Sequence, residues 1–228
     1  MKILIIIPAF NEEKNIQKLI SRIQNTSYDY LVINDASTDG TKELLEKENI
    51  NHISLSNNMG IAHVLQVGYR YAYEQGYDAA TTLDGDGQHD PKFIESLLTE
   101  IEQGYDYVIG SRFVNEKKPW SMRMLGSRVL VFIIRLLTKE KVSDPTSGMK
   151  VVGRNLLNEF YFNNNFIAEP DTLVYILKNG YKVKEVQVEM EERSEGASHF
   201  NKRLNVLKFM IFVICSMVFI QSRKVKRR

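Results

Sequence analysis

Short apolar runs alternate with longer amphipathic stretches over the first 110 residues, and this alternation limits the possible folds more than any other feature. The apolar runs have strand length and cover residues 3–8, 30–34, 50–55, 79–83 and 107–110. The stretches between them have helical length and cover residues 12–24, 38–48, 60–75 and 90–103. Strands that alternate with helices form a mostly parallel sheet with helices on both faces. The sequence therefore predicts a Rossmann-like α/β fold.

Candidate capping residues stand before three of the predicted helices. Asn11 precedes the first helix, and either Ser37 or Thr38 precedes the second. Asp90, followed by a proline, precedes the fourth. Small polar side chains accept hydrogen bonds from the free N–H groups of a first helical turn, and proline fits there because it lacks an N–H.

Polar signatures follow the predicted strands at the points where the strands end. In chain order they read PAFNE at 8–12, NDASTDGT at 34–41, NMG at 58–60, DGDGQHD at 84–90 and GSR at 110–112. In open α/β sheets, ligands bind at the carboxyl ends of the strands. Five polar clusters at one edge of the sheet predict a binding site rather than unrelated surface loops.

The most acidic of these signatures places Asp84, Asp86 and Asp90 around two glycines. Like charges at such close spacing repel one another, so three acids in one turn require an explanation. A bound divalent cation is one explanation, and an exposed acidic loop is the other. His89 lies in the same segment, where it could touch the site, but we expect it to have a structural role.

The composition indicates a globular protein whose charge is unevenly distributed. Hydrophobic residues make up 43% of the chain and charged residues 25%, and the single cysteine excludes an internal disulfide. The segment from Arg193 to Arg228 contains nine Lys or Arg residues and one Glu, a net charge of +8. Because the whole chain carries +2, the remainder carries −6. The basic segment is therefore expected to meet an anionic partner.

Two apolar segments of the second half suggest contact with a membrane surface. Residues 122–137 form a predicted apolar helix with Arg128 and Arg135 on one face, which fits either a helix on a membrane or a core helix with a solvated edge. Residues 204–220 are interrupted by Asn205 and Lys208, and a bilayer span needs about 20 apolar residues. Basic residues flank both ends, so we expect this helix to lie in the cytoplasmic leaflet, with a transmembrane span as the alternative.

Seven motifs together resemble glycosyltransferase family 2. They read PAFNEE, VINDASTDGT, NMG, LDGDGQHDP, GSR, DPTSGM and RSEGAS, and they extend from residue 3 to about residue 200. The most similar branch contains dolichol-phosphate mannose synthase-like enzymes and bacterial polyprenyl-phosphate glycosyltransferases. The resemblance implies a GT-A catalytic domain over residues 1–200, followed by a membrane-associated helix over residues 201–228.

The resemblance assigns the acidic signature to a metal site that serves a nucleotide-sugar donor. Asp84 and Asp86 form the D-x-D pair that holds Mg²⁺ or Mn²⁺, Gln88 completes the site, and Gly85 lets the backbone approach the ligand. A divalent ion there would act as a Lewis acid on the diphosphate leaving group. Asp90 is expected to cap the next helix instead.

The same resemblance assigns residues to the donor pocket. Asp35 would accept a hydrogen bond from the nucleobase, and Pro8, Phe10 and Glu12 would line the base and ribose pocket. Asn58 is expected either in the donor site or in an ordinary turn. Asp39 is expected to form a cap or a turn.

Further residues are implied for the phosphates and the acceptor. Arg112 would bind the acceptor or donor phosphate, and Arg193 would close over the diphosphate on a loop that also contains Ser198. Three carboxylates either orient the acceptor or the sugar or have structural roles, and they are Asp144, Glu169 and Asp171.

The resemblance implies an inverting transfer of one sugar to polyprenyl phosphate, undecaprenyl phosphate in bacteria. UDP-glucose or UDP-N-acetylglucosamine is the expected donor, ahead of GDP-mannose. A phosphate acceptor is already ionised at pH 7, whereas a sugar hydroxyl needs a general base. The alternatives are a transferase that uses a sugar hydroxyl in capsule or wall synthesis and a non-catalytic nucleotide-sugar-binding subunit. Expected partners are the cytoplasmic membrane surface and a small membrane subunit or a second copy, and no nucleic acid.

Overall fold

The computed structural model describes residues 1–84, 89–163, 169–189 and 213–219. Within these ranges seven strands form one sheet; they are β1 (Ile3–Ala9), β2 (Asp29–Asn34), β3 (His52–Ser54), β4 (Ala79–Thr82), β5 (Tyr107–Ser111), β6 (Lys150–Gly153) and β7 (Val183–Gln187). The helices are α1 (Ile16–Ile23), α2 (Thr41–Lys47), α3 (Ile61–Glu74), α4 (Ile94–Glu102), α5 (Met122–Thr138), α6 (Arg154–Phe162) and α7 (Glu169–Lys178). A 3₁₀ turn over Pro91–Phe93 precedes α4, and residues 213–219 are also helical.

The strand order is β3-β2-β1-β4-β6-β5-β7, and β6 alone in this described sheet runs antiparallel to its neighbours. The other six strands are parallel, so their carboxyl ends meet at one edge, which we call the carboxyl edge. Because β6 runs the opposite way, its first residue lies at this edge. The loop that precedes β6 therefore lies at the carboxyl edge, as do the motifs that follow the parallel strands.

Alternating side chains of β1 enter two separate cores. Ile3, Ile5 and Ile7 pack under α1, α2 and α4, whereas Leu4 and Ile6 pack under α3, α5, α6 and α7. A strand buried on both faces must be apolar throughout, which explains the uninterrupted run at the start of the sequence. The mostly parallel α/β fold predicted from the sequence is confirmed.

Asp90 begins its helix as predicted, but Asn11 does not cap α1. The Asp90 side chain accepts a hydrogen bond from the Lys92 N–H at 3.0 Å, and Pro91 occupies the first turn. The N-cap of α1 is Asn15, and Asn11 instead accepts a hydrogen bond from the Thr38 N–H at 2.8 Å. The prediction for Asn11 was wrong because its side chain joins two loops rather than one helix end.

The second helix begins later than predicted, because its N-cap is Gly40 rather than Ser37 or Thr38. Asp39 Oδ1 accepts a hydrogen bond from the Thr41 N–H at 3.0 Å, so Asp39 has the capping or turn-forming role expected for it. Ser37 instead accepts a hydrogen bond from the Asn11 N–H at 3.0 Å. The loops after β1 and β2 are thereby fastened to each other at the carboxyl edge.

Within the described ranges, no helix combines the length and apolar character that a bilayer crossing needs. Most of the apolar segment at 204–220 lies outside those ranges. The membrane-associated helix and the domain boundary near residue 200 therefore stay predictions.

Candidate functional site

Asp84 follows β4 and lies at the carboxyl edge with its side chain 40% exposed. Its backbone N–H donates a hydrogen bond to Nδ1 of His89 at 3.2 Å, and its Oδ2 lies 3.6 Å from the same nitrogen. His89 is buried, so its ring fixes the point at which the acidic segment leaves the sheet. The structural role of His89 stays a prediction, and its ring lies directly against the candidate metal ligand.

Gly148 provides the space that Asp84 and His89 occupy. A Cβ atom built on Gly148 would lie 2.5 Å from Asp84 Oδ2 and 2.7 Å from His89 Cε1, closer than real Cβ atoms approach their neighbours. Thr82 holds this glycine in place, because its hydroxyl donates a hydrogen bond to the Gly148 carbonyl at 2.6 Å. The loop before β6 is thus fitted closely around the Asp84 carboxylate.

The part of the chain that the structure describes contains no group of three or more His, Cys, Asp or Glu residues able to hold a metal ion. Three members of the predicted metal signature, Gly85, Asp86 and Gln88, lie outside the described residues. Asp84 itself fits a divalent cation, since it offers a partly exposed carboxylate whose position depends on the absence of a side chain at Gly148.

Asp90 forms contacts with Arg22 and Lys92. Its Oδ1 lies 3.2 Å from the guanidinium of Arg22 and accepts the cap hydrogen bond of the next helix. Burial opposes ionisation of Asp90, but the Lys92 N–H and the charge of Arg22 outweigh it and hold its pKa below the ordinary value. These contacts agree with a capping role rather than a metal-binding one.

Asp35 follows β2 and fastens a neighbouring loop with both carboxylate oxygens. Oδ1 accepts a hydrogen bond from the Met59 N–H at 2.7 Å, and Oδ2 accepts one from the Gly60 N–H at 2.9 Å. The Asn58 side chain donates to the Asp35 carbonyl at 3.3 Å. Gly60 has a φ of 80°, which a residue with a side chain rarely adopts. Sequence reasoning missed this loop-holding role of Asp35, whereas a turn was one of the two expectations for Asn58.

The predicted base-pocket residues lie beside Asp35, at the ends of β1 and β2. Pro8 is in the last part of β1, and Phe10 follows the strand, partly exposed. Glu12 is buried, and its carboxylate accepts a hydrogen bond from Asn15 at 2.8 Å. The fold therefore brings Pro8, Phe10, Glu12 and Asp35 to adjacent positions on the carboxyl edge.

Arg112 follows β5 and forms a bidentate ion pair with Asp144. The Nε–Oδ2 distance is 2.7 Å and the Nη2–Oδ1 distance is 2.9 Å, and the Arg112 backbone N–H also donates to Oδ2 at 3.2 Å. Asp144 has no exposed surface, whereas the Arg112 side chain is 21% exposed. Burial opposes ionisation of Asp144, but Arg112 outweighs it and holds the pKa of this carboxyl below its usual range.

Two side chains of β7 support this pair, and sequence reasoning missed both. Glu185 accepts hydrogen bonds from the backbone N–H groups of Ser143 and Asp144, at 2.6 Å and 2.8 Å. Gln187 donates to the Arg112 carbonyl at 3.1 Å. The strand contributes these polar side chains from more than forty positions along the chain, and no local spacing connects them to Arg112.

Arg112, Lys118 and Arg128 form what we call the cationic cluster. The Lys118 ammonium donates a hydrogen bond to Ser127 Oγ at 2.7 Å and lies 5.2 Å from the centroid of the Phe113 ring, as does the Arg112 guanidinium. Arg128 donates to the Lys118 carbonyl at 2.8 Å. Burial lowers the pKa of Lys118, and the nearby guanidinium groups lower it further against the opposing charge of Asp144.

The remaining predicted residues fall partly or wholly outside this arrangement. Asp171 is buried in α7 and accepts hydrogen bonds from Thr172 and from Ser216 of the 213–219 helix. Glu169 opens α7, but its side chain lies outside the described part of the chain, as do Arg193 and Ser198.

Comparisons with known proteins identify relatives of this chain. A family model described as Glycosyl transferase family 2 matches residues 4–160. The UDP-N-acetylglucosamine–dolichyl-phosphate N-acetylglucosaminyltransferase of Methanococcus voltae is 33% identical over 211 residues, covering 82% of this chain and 84% of that protein. The polyprenol monophosphomannose synthase of Mycolicibacterium smegmatis is 26% identical over 211 residues, covering 86% and 79%.

A solved structure shares the fold. It is the glucosyl-3-phosphoglycerate synthase from Mycobacterium tuberculosis in complex with Mn²⁺, UDP-glucose and phosphoglyceric acid. The TM-score is 0.70 at 18% identity, and the match covers 96% of this chain and 79% of that one. At this identity the likeness concerns the arrangement of strands and helices, and it agrees with a GT-A-like α/β fold.

Proposed function

Because this chain belongs to glycosyl transferase family 2, we propose that it transfers one sugar from a nucleoside diphosphate sugar to a polyprenyl phosphate, with inversion at the anomeric carbon. The observation that carries this proposal is the cationic cluster at the carboxyl edge. The cluster is joined to Asp84 by one short loop, since Asp144 of that loop pairs with Arg112 and Gly148 contacts Asp84. One loop thus supports both the proposed phosphate site and the candidate metal ligand.

The burial of two candidate carboxylates, Asp144 and Asp171, favours a phosphate acceptor over a sugar hydroxyl. A hydroxyl acceptor needs a general base, whereas a phosphate is already ionised at pH 7. Asp144 has no exposed surface and is paired with Arg112, and Asp171 is buried against Ser216. These two carboxylates are therefore not available to a hydroxyl group, whereas the cations beside Asp144 suit an anion.

Relatives support the same acceptor class and leave a choice of donors. The Methanococcus voltae relative is named for transfer from UDP-N-acetylglucosamine to dolichyl phosphate, and the mycobacterial one is named a polyprenol monophosphomannose synthase. We propose UDP-N-acetylglucosamine or UDP-glucose as the donor, with GDP-mannose as the competing choice. The acceptor class is common to both relatives, so it is the stronger part of the proposal.

In the proposed mechanism, an oxygen of the acceptor phosphate attacks the anomeric carbon while the bond from that carbon to the diphosphate breaks. Arg112 and Lys118 hold the acceptor phosphate, and Asp144 keeps the Arg112 guanidinium in a fixed orientation. The nucleoside diphosphate leaves from the opposite side of the sugar ring, and no proton has to be removed from the acceptor. Asp35 positions the loop that borders the donor.

Asp84, with Asp86 and Gln88 of the same signature, would hold Mg²⁺ or Mn²⁺. When bound, such an ion neutralises charge on the departing diphosphate. We further propose that Arg193 and Ser198 contact that diphosphate. The enzyme would work at the cytoplasmic face of the membrane, with residues 1–200 as its catalytic part and residues 201–228 as its attachment, alone, as a homo-oligomer or with a small membrane subunit.

A lipid-extraction assay tests this proposal. Purified full-length protein would receive undecaprenyl phosphate in detergent, Mg²⁺ or Mn²⁺, and labelled UDP-glucose, UDP-N-acetylglucosamine or GDP-mannose in separate reactions. We expect label in the organic phase with one donor and its loss on addition of EDTA. Metal-dependent nucleotide binding without lipid label from any of the donors would contradict the proposed acceptor.

A further inference from the structure

Helix α5 exposes a stripe of large apolar side chains on the face that points away from the core. Leu125, Val129, Phe132 and Leu136 are 47%, 40%, 67% and 69% exposed. At about 100° per residue, these four positions fall within an arc of about 60° around the helix. We call them the α5 stripe.

The opposite face of α5 is apolar as well and is buried. Leu130 and Ile134 are 2% and 0% exposed and pack in the core cluster under α3, α6 and α7. A helix at the surface of a soluble domain normally presents polar residues to water opposite its buried face. A continuous exposed apolar surface on such a helix marks an interaction site. Helix α5 therefore has two apolar faces, one buried in the core and one exposed.

Positive charge accompanies the α5 stripe along one side. Helix α5 contains three arginines and no acidic residue. Arg128 and Arg135 lie about 70–90° to one side of the centre of the stripe at 100° per residue, and Lys139 follows the end of the helix. The Arg128 guanidinium stacks 4.5 Å above the ring of Trp120, which is 89% exposed. An exposed indole beside cations is typical of the interface between water and lipid.

The α5 stripe begins next to the cationic cluster. Leu125 precedes Ser127 and Arg128, which contact Lys118, by less than one helical turn. The 213–219 helix buries Val213 and Met217 in the same core cluster and leaves Val218 and Phe219 51% and 75% exposed. The α5 stripe is therefore adjacent in sequence to the cationic cluster that we propose to bind phosphate.

We propose that the α5 stripe inserts into the headgroup region of an anionic bilayer, with Arg128, Arg135 and Lys139 on the lipid phosphates. The proposal deepens the proposed function and rests on it in one respect, the lipid acceptor. In this position the cationic cluster lies at headgroup height. A polyprenyl phosphate would reach Arg112 and Lys118 without leaving the membrane surface.

Vesicle flotation of the full-length protein tests the inference. Phe132→Ser/Leu136→Ser is the test variant, and Phe162→Ser is the matched control, because Phe162 is 62% exposed but lies on α6. We expect phosphatidylcholine vesicles that contain phosphatidylglycerol to bind wild type and the control alike. The test variant should bind about tenfold less or weaker still. Equal flotation of all three proteins would overturn the proposal.

Two further measurements test whether a second copy of the protein or the chain's own tail covers the α5 stripe instead of a membrane. If light scattering without vesicles shows a wild-type dimer and a monomeric Phe132→Ser/Leu136→Ser variant, a second copy covers the stripe and the membrane proposal fails. If the test variant melts far below wild type without lipid, the chain's own tail covers the stripe, and the proposal fails likewise. We expect the same monomer-or-oligomer state and nearly the same melting temperature for both proteins.

The acceptor assay distinguishes this inference from the proposed function. With a short-chain, water-soluble polyprenyl phosphate, the test variant should turn over like wild type. With undecaprenyl phosphate embedded in anionic vesicles, it should lose most of its activity while Phe162→Ser does not. Absence of transfer by wild type to either acceptor would refute the proposed function, and the flotation result would still decide the membrane inference.

Discussion

Arg112 and Asp144 form a bidentate ion pair in which the carboxylate is fully buried and the guanidinium is 21% exposed. The buried member therefore cannot contact a substrate, and the partly exposed member can. Asp144 acts through Arg112 as a positioning residue. The pair also connects two distant loops, so it contributes to stability as well as to the site.

Asp144→Ala should destabilise the protein by about 3–5 kcal/mol, since it leaves the Arg112 charge without its partner in a buried environment. Urea unfolding monitored by circular dichroism measures this free energy. Glu46→Ala is the control, because it removes an exposed ion pair with Lys42 that should contribute less than about 1 kcal/mol. Similar losses in both variants would show that the Arg112–Asp144 pair contributes no more than a surface pair.

The pH dependence of stability should reflect the lowered pKa of Asp144. In the folded state this carboxyl binds its proton less readily than in the unfolded state, where its pKa is near 3.8. Its contribution is therefore fully present above that value and is lost as the pH falls through the lower folded-state pKa. Urea unfolding at a series of acidic pH values should show this loss in wild type. The Asp144→Asn variant should show a shallower dependence, and identical slopes would contradict the prediction.

Gly148→Ala should weaken metal binding by about tenfold or more, because the new Cβ displaces Asp84 and the buried His89. Calorimetric titration with Mn²⁺ measures the effect. Gly40→Ala is a matched control, since its Cβ would also lie 2.5 Å from a carboxylate oxygen, that of Glu13. Glu13 is exposed and can move away, so the control should bind Mn²⁺ like wild type. Equal Mn²⁺ affinity in all three proteins would remove Asp84 from the proposed metal site.

Lys118→Ala should raise the KM for the polyprenyl phosphate about tenfold and leave the KM for the donor nearly unchanged. The reason is the loss of one cation from the cationic cluster. The neighbouring Lys117 is exposed, so Lys117→Ala controls for a general change in charge. A larger effect on donor binding than on acceptor binding would place Lys118 at the donor phosphate instead.

Asp35→Asn should lower donor affinity about tenfold, because an amide nitrogen would face either the Met59 or the Gly60 N–H and release their loop. Nucleotide titration measures the affinity, and hydrogen exchange at residues 58–60 reports the loop. Asn58→Ala removes a single 3.3 Å hydrogen bond from the same loop and should have a smaller effect. Lost affinity with unchanged exchange would indicate that Asp35 acts on the nucleobase alone.

The sequence by itself determined the first five strands, the helices between them and the edge at which the motifs meet. These features are local, because a fully buried strand such as β1 must be apolar throughout and an amphipathic helix must repeat every 3.6 residues. The capping role of Asp90 was equally predictable, since a cap depends on residues only two or three positions away.

Only the tertiary structure decided how distant side chains pair. The antiparallel insertion of β6 brings Asp144 to Arg112 and Gly148 to Asp84, and β7 supplies Glu185 and Gln187. The tertiary structure also exposes one apolar face of α5. Periodicity alone could not decide whether α5 is a core helix or a helix on a membrane. Hydrogen bonds and ion pairs depend on distances across the fold, and such distances follow from strand order rather than from neighbouring residues along the chain.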